Sequence, residues 1–205
     1  MSELAAPRTM PHSVAETSAE QTRRGQLSER VFGIWSFIMI ECLVFSAYFV
    51  LYLLHRMHDP RSFATAQAQL TPAFGCFHTL VLLTSSWQAA LSLHSGRSAK
   101  YELASRRAIY TIALGLLFIA SKLTEWIYEI GRGHSFGTSE FFSFYFFLTG
   151  IHVVHVLIGI AFMTSTIVNL RSATPSRESI EISATYWHMV DFLWVMIFAL
   201  LYVVK

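Results

Sequence analysis

Ionisable side chains interrupt apolar runs of this chain at helical spacing. His152 and His155 lie three residues apart, and so do His188 and Asp191. Residues three apart share one face of a helix. Imidazole and carboxylate groups gathered on one face can bind a metal such as iron or zinc. The same groups also serve as hydrogen-bonding contacts between packed membrane helices. Spacing alone favours the second interpretation and leaves the first open.

A second set of charged residues lies in apolar surroundings. Glu41 stands near the middle of an apolar run, and Lys122 and Glu125 are three residues apart, with Glu129 one turn further on. A charge at the centre of a bilayer costs about 2.5–3.5 kcal/mol on insertion scales, so these groups need partners. We interpret Lys122 and Glu125 as an internal ion pair, with a polar cleft as the alternative. For Glu41 we expect binding of a lipid headgroup, a proton or a partner helix, the alternative being a packing contact.

Five segments are long and apolar enough to position these groups inside a bilayer, since a spanning helix needs about 20 mostly apolar residues. Their approximate ranges are 31–54, 72–94, 106–130, 141–170 and 182–204. In hydrocarbon each backbone amide must be paired within its own segment, which favours helices over strands. The sequence therefore predicts an all-α, integral membrane bundle of five transmembrane helices in residues 29–205. Residues 1–28 are polar and predict a disordered cytoplasmic tail.

Composition agrees with a membrane protein and excludes several other classes. Hydrophobic residues make up 54% of the chain and charged residues 14%, against about 25% charged in a typical soluble domain. The net charge of +2 is scattered, which argues against a nucleic-acid partner. The cysteines, Cys42 and Cys76, exclude a disulfide scaffold. The aromatic run 141–147 predicts a surface facing lipid or a partner, and Gly150 and Gly159 predict close helix contacts.

The distribution of Lys and Arg predicts the orientation in the membrane. Ten of them lie on the side of a five-helix bundle that holds the N-terminus and the connections after the second and fourth expected helices: Arg8, Arg23, Arg24, Arg30, Arg97, Lys100, Arg106, Arg107, Arg171 and Arg177. Four lie on the other side: Arg56, Arg61, Arg132 and Lys205. Because positive residues remain preferentially on the cytoplasmic side, we expect a cytoplasmic N-terminus and a C-terminus outside.

Three segments resemble signatures of one family. Residues 149–159 read TGIHVVHVLIG and resemble T-G-[FI]-H-x-x-H-V-x-x-G. Residues 186–194 read YWHMVDFLW and resemble Y-W-H-[FL]-V-D-x-x-W, while IECLVFSA at 40–47 is similar to S-E-x-[LM]-x-F-x-[AG]. These are signatures of cytochrome c oxidase subunit III, the third subunit of the heme–copper oxidases. The resemblance covers about residues 29–205 and is to the five-helix bacterial form.

The resemblance implies a non-catalytic subunit of a bacterial inner-membrane terminal oxidase, working with cytochrome c or quinol in aerobic respiratory electron transport. Such a subunit packs against the catalytic subunit I and other subunits, stabilises turnover and supports proton uptake. It implies heme and copper in the partner, none in this chain, and bound phospholipid. The buried polar residues, with structural, lipid-related or proton-related roles, are then Glu41, Glu125, His152, His155, His188 and Asp191. Secondary candidates are Lys122, Glu129, His78, Trp187 and Trp194.

Three alternatives stay open at this point. Residues 84–87 and 142–150 look closest to a branch of the family that is accessory to nitric oxide reductases. A membrane metalloenzyme would use one or two metals bound by Glu125, Glu129, His152, His155, His188 and Asp191. A small transporter or proton channel would use Glu41 and the Lys122 face, although the inverted repeats typical of transporters are missing from the sequence.

Overall fold

The computed structural model describes residues 12–172, 175 and 177–204, with side chains described from residue 32 onward. Six α-helices fill this part of the chain, and no strand occurs within it. The helices are α1 His12–His58, α2 Pro60–Gln67, α3 Pro72–Arg97, α4 Tyr101–Gly131, α5 Glu140–Leu170 and α6 Arg177–Phe198. A π-helical turn, Ala199–Val203, continues α6. The long helices overlap the five ranges expected from hydropathy.

The chain divides into two units, Met1–Phe37 and Ile38–Lys205. In the first unit the described residues are helical and belong to the N-terminal part of α1, with Phe32 and Trp35 exposed. The helix begins at His12, inside the segment expected to be a disordered tail, and the first eleven residues lie outside the described part of the chain.

Four helical segments of the described chain are long and apolar enough to cross a membrane. They are Phe32–His58, Tyr101–Gly131, Glu140–Leu170 and Arg177–Val203. The predicted fifth crossing, α3, is 26 residues long but does not meet the same criterion. Serine, threonine and histidine interrupt its apolar residues, and several of them, such as His78, Ser85 and Ser92, are buried. The five-helix count therefore stays a prediction.

The second unit is a bundle in which α3 packs against α4 and α6, and α5 packs against α4 and α6. Trp187 of α6 lies between two glycines of its neighbours. A Cβ atom on Gly115 of α4 would lie 2.8 Å from the indole, and one on Gly159 of α5 would lie 2.9 Å from it. The close approach expected at Gly159 is thus confirmed. At Gly150 a Cβ would only touch Trp126 at 4.0 Å, so the close contact predicted there is absent.

The connections have local causes in the sequence. Asp59 caps the short helix α2 by accepting a hydrogen bond from the backbone N–H of Ser62 at 3.1 Å, and Pro60 occupies the first turn, where a missing N–H costs nothing. Helix α2 is not among the five segments predicted from hydropathy, because its eight residues are too few and too polar to give a membrane-helix signal. Ser139 caps α5 by accepting from the N–H of Phe142 at 3.2 Å.

Candidate functional site

Lys122 of α4 forms the centre of a fully buried polar cluster. Its Nζ donates a hydrogen bond to Oε2 of Glu125 at 2.6 Å, and neither side chain is measurably exposed to solvent. The internal ion pair expected from their spacing is present. Because the cost of burying both charges is large, the remaining protons and lone pairs of the pair need partners as well.

Two tyrosines from other elements supply those partners. Lys122 Nζ donates to the hydroxyl of Tyr145 on α5 at 3.2 Å and to that of Tyr202 in the π-helical turn at 3.1 Å. With Glu125, these contacts occupy all three protons of the ammonium group. The Tyr202 hydroxyl in turn donates to Oε1 of Glu125 at 2.7 Å. Lys122 Nζ also lies 4.6 Å from the centroid of the Tyr145 ring. Four side chains from three elements thus form one network.

Sequence reasoning missed both tyrosines. The aromatic run at the start of α5 was expected to face lipid or a partner, yet Phe141, Phe142 and Tyr145 are buried. That prediction is wrong for these three residues, since Phe141 packs on Phe63 of α2, Phe142 stacks on His134, and Tyr145 reaches Lys122 of α4. The sequence shows Tyr202 only as one aromatic residue at the end of the last apolar run. The partner of its hydroxyl lies on another helix, so spacing along the chain could not predict it.

Two buried histidines surround the ion pair. His78 of α3 has Nε2 2.8 Å from Oγ of Ser121 and Nδ1 3.7 Å from Oε2 of Glu125. His152 of α5 packs its ring against Phe118 and Trp194, with centroid distances of 5.5 and 5.1 Å. Within the described chain, neither ring nitrogen of His152 has a hydrogen-bond partner, nor does Nδ1 of His78.

Glu129 connects this region to the end of the bundle. The Glu129 side chain is buried, with Oε2 2.8 Å from Nδ1 of His134 and Oε1 3.5 Å from a guanidinium nitrogen of Arg132. Arg132 donates a further hydrogen bond to the backbone carbonyl of Gln69 at 2.9 Å. The carboxylate of Glu129 is thereby held by basic groups of the connection that follows α4.

Glu41 and His155 form a separate pair between α1 and α5. Oε2 of Glu41 lies 3.1 Å from Nε2 of His155, and the other ring nitrogen lies 2.8 Å from the carbonyl of Ile151. A carbonyl only accepts hydrogen bonds, so Nδ1 carries a proton. A hydrogen bond between Nε2 and Oε2 then needs a second proton, held by the imidazole or by the carboxyl group. The sequence context of Glu41 suggested a carboxyl group surrounded by apolar neighbours, but the structure gives it a polar partner in His155.

The two histidines of α5 do not converge on one site. Although three residues separate them, His155 contacts Glu41 and its ring packs on Phe45 of α1 at 5.4 Å, whereas His152 faces α4 and α6. The two imidazoles therefore do not form the shared metal site that their spacing left open. A helical face is broad enough for neighbouring positions to meet different helices.

His188 and Asp191 of α6 lie near Ser86 of α3. Nδ1 of His188 is 2.6 Å from Oγ of Ser86. Asp191 is only 4% exposed, and its oxygens accept no hydrogen bond of ordinary geometry from described residues, although Ser86 is close by. Farther along α6, Trp194 Nε1 donates to Oγ1 of Thr79 at 3.1 Å. Trp187, the other secondary candidate on this helix, packs in the slot between Gly115 of α4 and Gly159 of α5.

The candidate metal ligands are distributed over separate places. In residues 12–172, 175 and 177–204, no three His, Cys, Asp or Glu side chains lie together in a way that would hold a metal ion. Glu125 belongs to the lysine cluster, Glu129 to the connection after α4, and Asp191 to the contact with α3. The geometry therefore gives no support to the metalloenzyme alternative.

Comparison with known families identifies the chain. The model of the family described as cytochrome c oxidase subunit III matches residues 13–205. This chain belongs to the subunit III family of the heme–copper oxidases. Membership, together with the four long apolar helices, makes it a multi-pass membrane protein.

Relatives of this subunit III chain are similar along most of their length. It is 30% identical over 186 residues to the quinol oxidase subunit 3 of Bacillus spizizenii, covering 89% of both chains. Identity to the cytochrome c oxidase subunit 3 of Thermostichus vulcanus is 31%, covering 85% of this chain and 87% of the relative. Identity to the cytochrome bo(3) ubiquinol oxidase subunit 3 of Buchnera aphidicola is 24%, covering 85% and 94%.

In this subunit III chain the three signature segments lie on α1, α5 and α6. Two of them meet directly, because Glu41 of the first pairs with His155 of the second. The third meets the second where Trp187 packs on Gly159. The Lys122 cluster lies mostly outside the signatures and joins them only through neighbours such as His152 and Trp194.

Proposed function

We propose that this chain is a non-catalytic transmembrane subunit of a bacterial heme–copper terminal oxidase that uses quinol or cytochrome c as electron donor. The observation that carries the proposal is the subunit III match, which spans residues 13–205 and so includes nearly the whole chain. Its relatives are named as third subunits of quinol and cytochrome c oxidases.

The proposed partners are the heme- and copper-containing catalytic subunit I, other oxidase subunits and membrane phospholipid. The second unit offers an apolar surface for them on α1, where Met39, Ile40 and Leu43 are 66%, 61% and 71% exposed. Within the complex, the chain stabilises the catalytic subunit and supports proton uptake. The Glu41–His155 pair supports the second role, since its geometry requires a proton between the two groups. Glu125, His152, His188 and Asp191 complete the proposed polar interior.

We further propose a location in the bacterial inner membrane with five crossings, the N-terminus in the cytoplasm and the C-terminus outside. In this arrangement α3 is the fifth crossing. Its 26 residues are long enough to span a bilayer. Several of its polar side chains point into the bundle, as His78 and Ser85 do, and so avoid lipid. Residues 1–28 form the cytoplasmic tail and 29–205 the transmembrane domain.

Purification from the native membrane tests the proposed partnership. A tagged chain extracted in mild detergent should bring down a larger, heme-containing membrane subunit, visible in the optical spectrum, and the complex should consume oxygen with quinol or cytochrome c. An unrelated tagged multi-pass protein from the same membrane is the control. A preparation that turns over nitric oxide and no oxygen would replace the oxidase by a nitric oxide reductase. Purification without heme protein, under conditions that keep the host's oxidase intact, would overturn the proposal.

A further inference from the structure

A cavity of about 300 Å³ opens at the end of the bundle, between α2, the start of α3 and the π-helical turn. Its walls are formed by Ala64, Gln67, Ala68, Leu70, Pro72 and Tyr202. Gln67 closes one side by donating from Nε2 to the carbonyl oxygen of Val204 at 2.8 Å. The short helix α2 therefore covers a space that reaches down to the last turn of the chain.

Tyr202 separates this cavity from the buried ion pair. Tyr202 is one of the residues that line the cavity, and its residue exposure is 6%. Its hydroxyl contacts both Lys122 and Glu125, which are buried. The same residue thus borders the open space and contacts the charged groups. A hydroxyl is both donor and acceptor, so a proton can pass along it in either direction.

Unsatisfied polar atoms near the ion pair point to water. His78 and His152 are fully buried, yet Nδ1 of His78 and both ring nitrogens of His152 have no hydrogen-bond partner in the described chain. The 3.7 Å between Nδ1 of His78 and Oε2 of Glu125 is too long for a direct hydrogen bond. Buried polar groups in this situation are commonly bridged by internal water.

The groups that face the ion pair come from every element packed around it. They are His78 of α3, Ser121 and Glu129 of α4, Tyr145 and His152 of α5, Trp194 of α6 and Tyr202 of the π-helical turn. A second approach from the aqueous side runs past His134, whose side chain is 14% exposed, but the carboxylate of Glu129 is closed there by His134 and Arg132. The cavity above Tyr202 is the more open approach.

We propose that the cavity between α2 and α3 admits water to the buried Lys122–Glu125 pair, so that the pair exchanges protons with the aqueous phase through the Tyr202 hydroxyl. The ligand of this site is water and the proton that it carries. The site is distinct from the Glu41–His155 pair, which lies on the α1 side of α5. A subunit that holds an exchangeable proton here has a second protonatable centre besides that pair.

Hydrogen–deuterium exchange at a single nitrogen tests this proposal. The lysines of the chain are Lys100, Lys122 and Lys205, so labelling lysine side chains with ¹⁵N gives few signals, and Lys122→Met identifies the buried one. The full chain in lipid nanodiscs is transferred to deuterated buffer, and replacement of the Lys122 Nζ protons is followed by NMR. Ala64→Phe and Ala68→Phe fill the cavity from two exposed positions of its wall. Ala73→Phe is the matched control, exposed at the same end but outside the cavity.

The Lys122 Nζ protons of the wild-type chain and of the control should exchange at the same rate. In each cavity-filling variant they should exchange at least about tenfold more slowly, because exchange would then need a local opening of the bundle. Melting temperatures of all variants verify that they are folded. If the Lys122 Nζ protons of the wild-type chain failed to exchange over days, that result alone would overturn the proposal. Unchanged exchange in a folded cavity-filling variant would overturn it too, since water would then enter by another path.

Discussion

At the scale of single residues, the decisive arrangement is an ammonium group whose three protons all have partners. Lys122 donates to Glu125, Tyr145 and Tyr202, contributed by its own helix, by α5 and by the π-helical turn. In apolar surroundings an unpaired charge is far more costly than a neutral pair, so the members of this cluster depend on one another. The ion pair fixes the rotation of α4 towards the elements that supply the tyrosines.

Replacing Lys122 alone should therefore destabilise the chain more than replacing both Lys122 and Glu125. Lys122→Met leaves the Glu125 carboxylate buried without its cation, and we expect a loss of about 3–5 kcal/mol in the free energy of unfolding. The double variant with Glu125→Gln should recover part of that loss. The measurement is titration with a denaturing detergent, comparing both single variants with the double variant.

The exposed pair Arg106–Glu102 provides a matched control, because it has the same 2.6 Å separation but side chains that are 69% and 82% exposed. Arg106→Met should change stability by less than about 0.5 kcal/mol, since water screens the pair. Equal losses for the Arg106 and Lys122 variants would contradict the dependence on burial.

At the scale of helices, α6 is held in the bundle by one large side chain and by its end. The indole of Trp187 fills the slot between Gly115 of α4 and Gly159 of α5. Beyond α6, the carbonyl of Val204 accepts hydrogen bonds from Arg56 of α1 at 2.7 Å and from Gln67 of α2 at 2.8 Å. The π-helical turn between these anchors carries Tyr202, which reaches the ion pair. Helix packing and the polar cluster therefore support each other.

Adding one methyl group to the slot should separate the helices. In Gly159→Ala the new Cβ would lie 2.9 and 3.0 Å from Trp187, and the ring has little room to move because another part of it packs equally closely on Gly115. Overpacking of this kind costs about 1–3 kcal/mol. The measurement is the apparent free energy of unfolding of the full chain.

Gly150→Ala is the control on the same helix, since its Cβ would meet Trp126 only at 4.0 Å. There the change should be neutral or stabilising by up to about 1 kcal/mol, because alanine favours a helix more than glycine does. If both alanine variants were equally stable, the slot would not be the constraint that we infer.

At the scale of the whole molecule, the number of crossings decides which polar groups share one aqueous side. With α3 as a fifth crossing, the α2 cavity, the connection after α4 and the C-terminus would share one side, which is the outside if the N-terminus is cytoplasmic as proposed. If α3 did not cross, the connections on its two ends would lie on one side, and the helices after it would reverse their direction. The two arrangements therefore place residues 98–100, and likewise residues 132–139, on opposite sides of the membrane.

Cysteine labelling of intact spheroplasts distinguishes these arrangements. In a background with Cys42 and Cys76 replaced by serine, we expect Ser135→Cys to react with an impermeant maleimide and Ser98→Cys to react only after lysis. Ser62→Cys in α2 is the control and should react in both arrangements. Labelling of Ser98→Cys without lysis, with Ser135→Cys protected, would exclude the five-crossing arrangement.

Long apolar segments and short signatures predicted the helical class and the family. They also predicted the approximate spans of the long helices, except that α1 begins at His12 and not near residue 31. Those properties depend on hydropathy and on residues close together along the chain. Spacing along one helix also predicted the Lys122–Glu125 pair. Helix α2 was missed although its cap signal, Asp59 before Pro60, was present.

Partners across helices were decided only by the tertiary structure. Glu41 finds His155, Lys122 finds Tyr145 and Tyr202, and His152 turns away from His155, none of which follows from spacing along one helix. The sequence by itself determined which ionisable side chains lie within apolar helices and therefore need a companion. Which companion each one meets depends on the rotation and depth of every helix against its neighbours, and these are set by packing contacts such as Trp187 between two glycines.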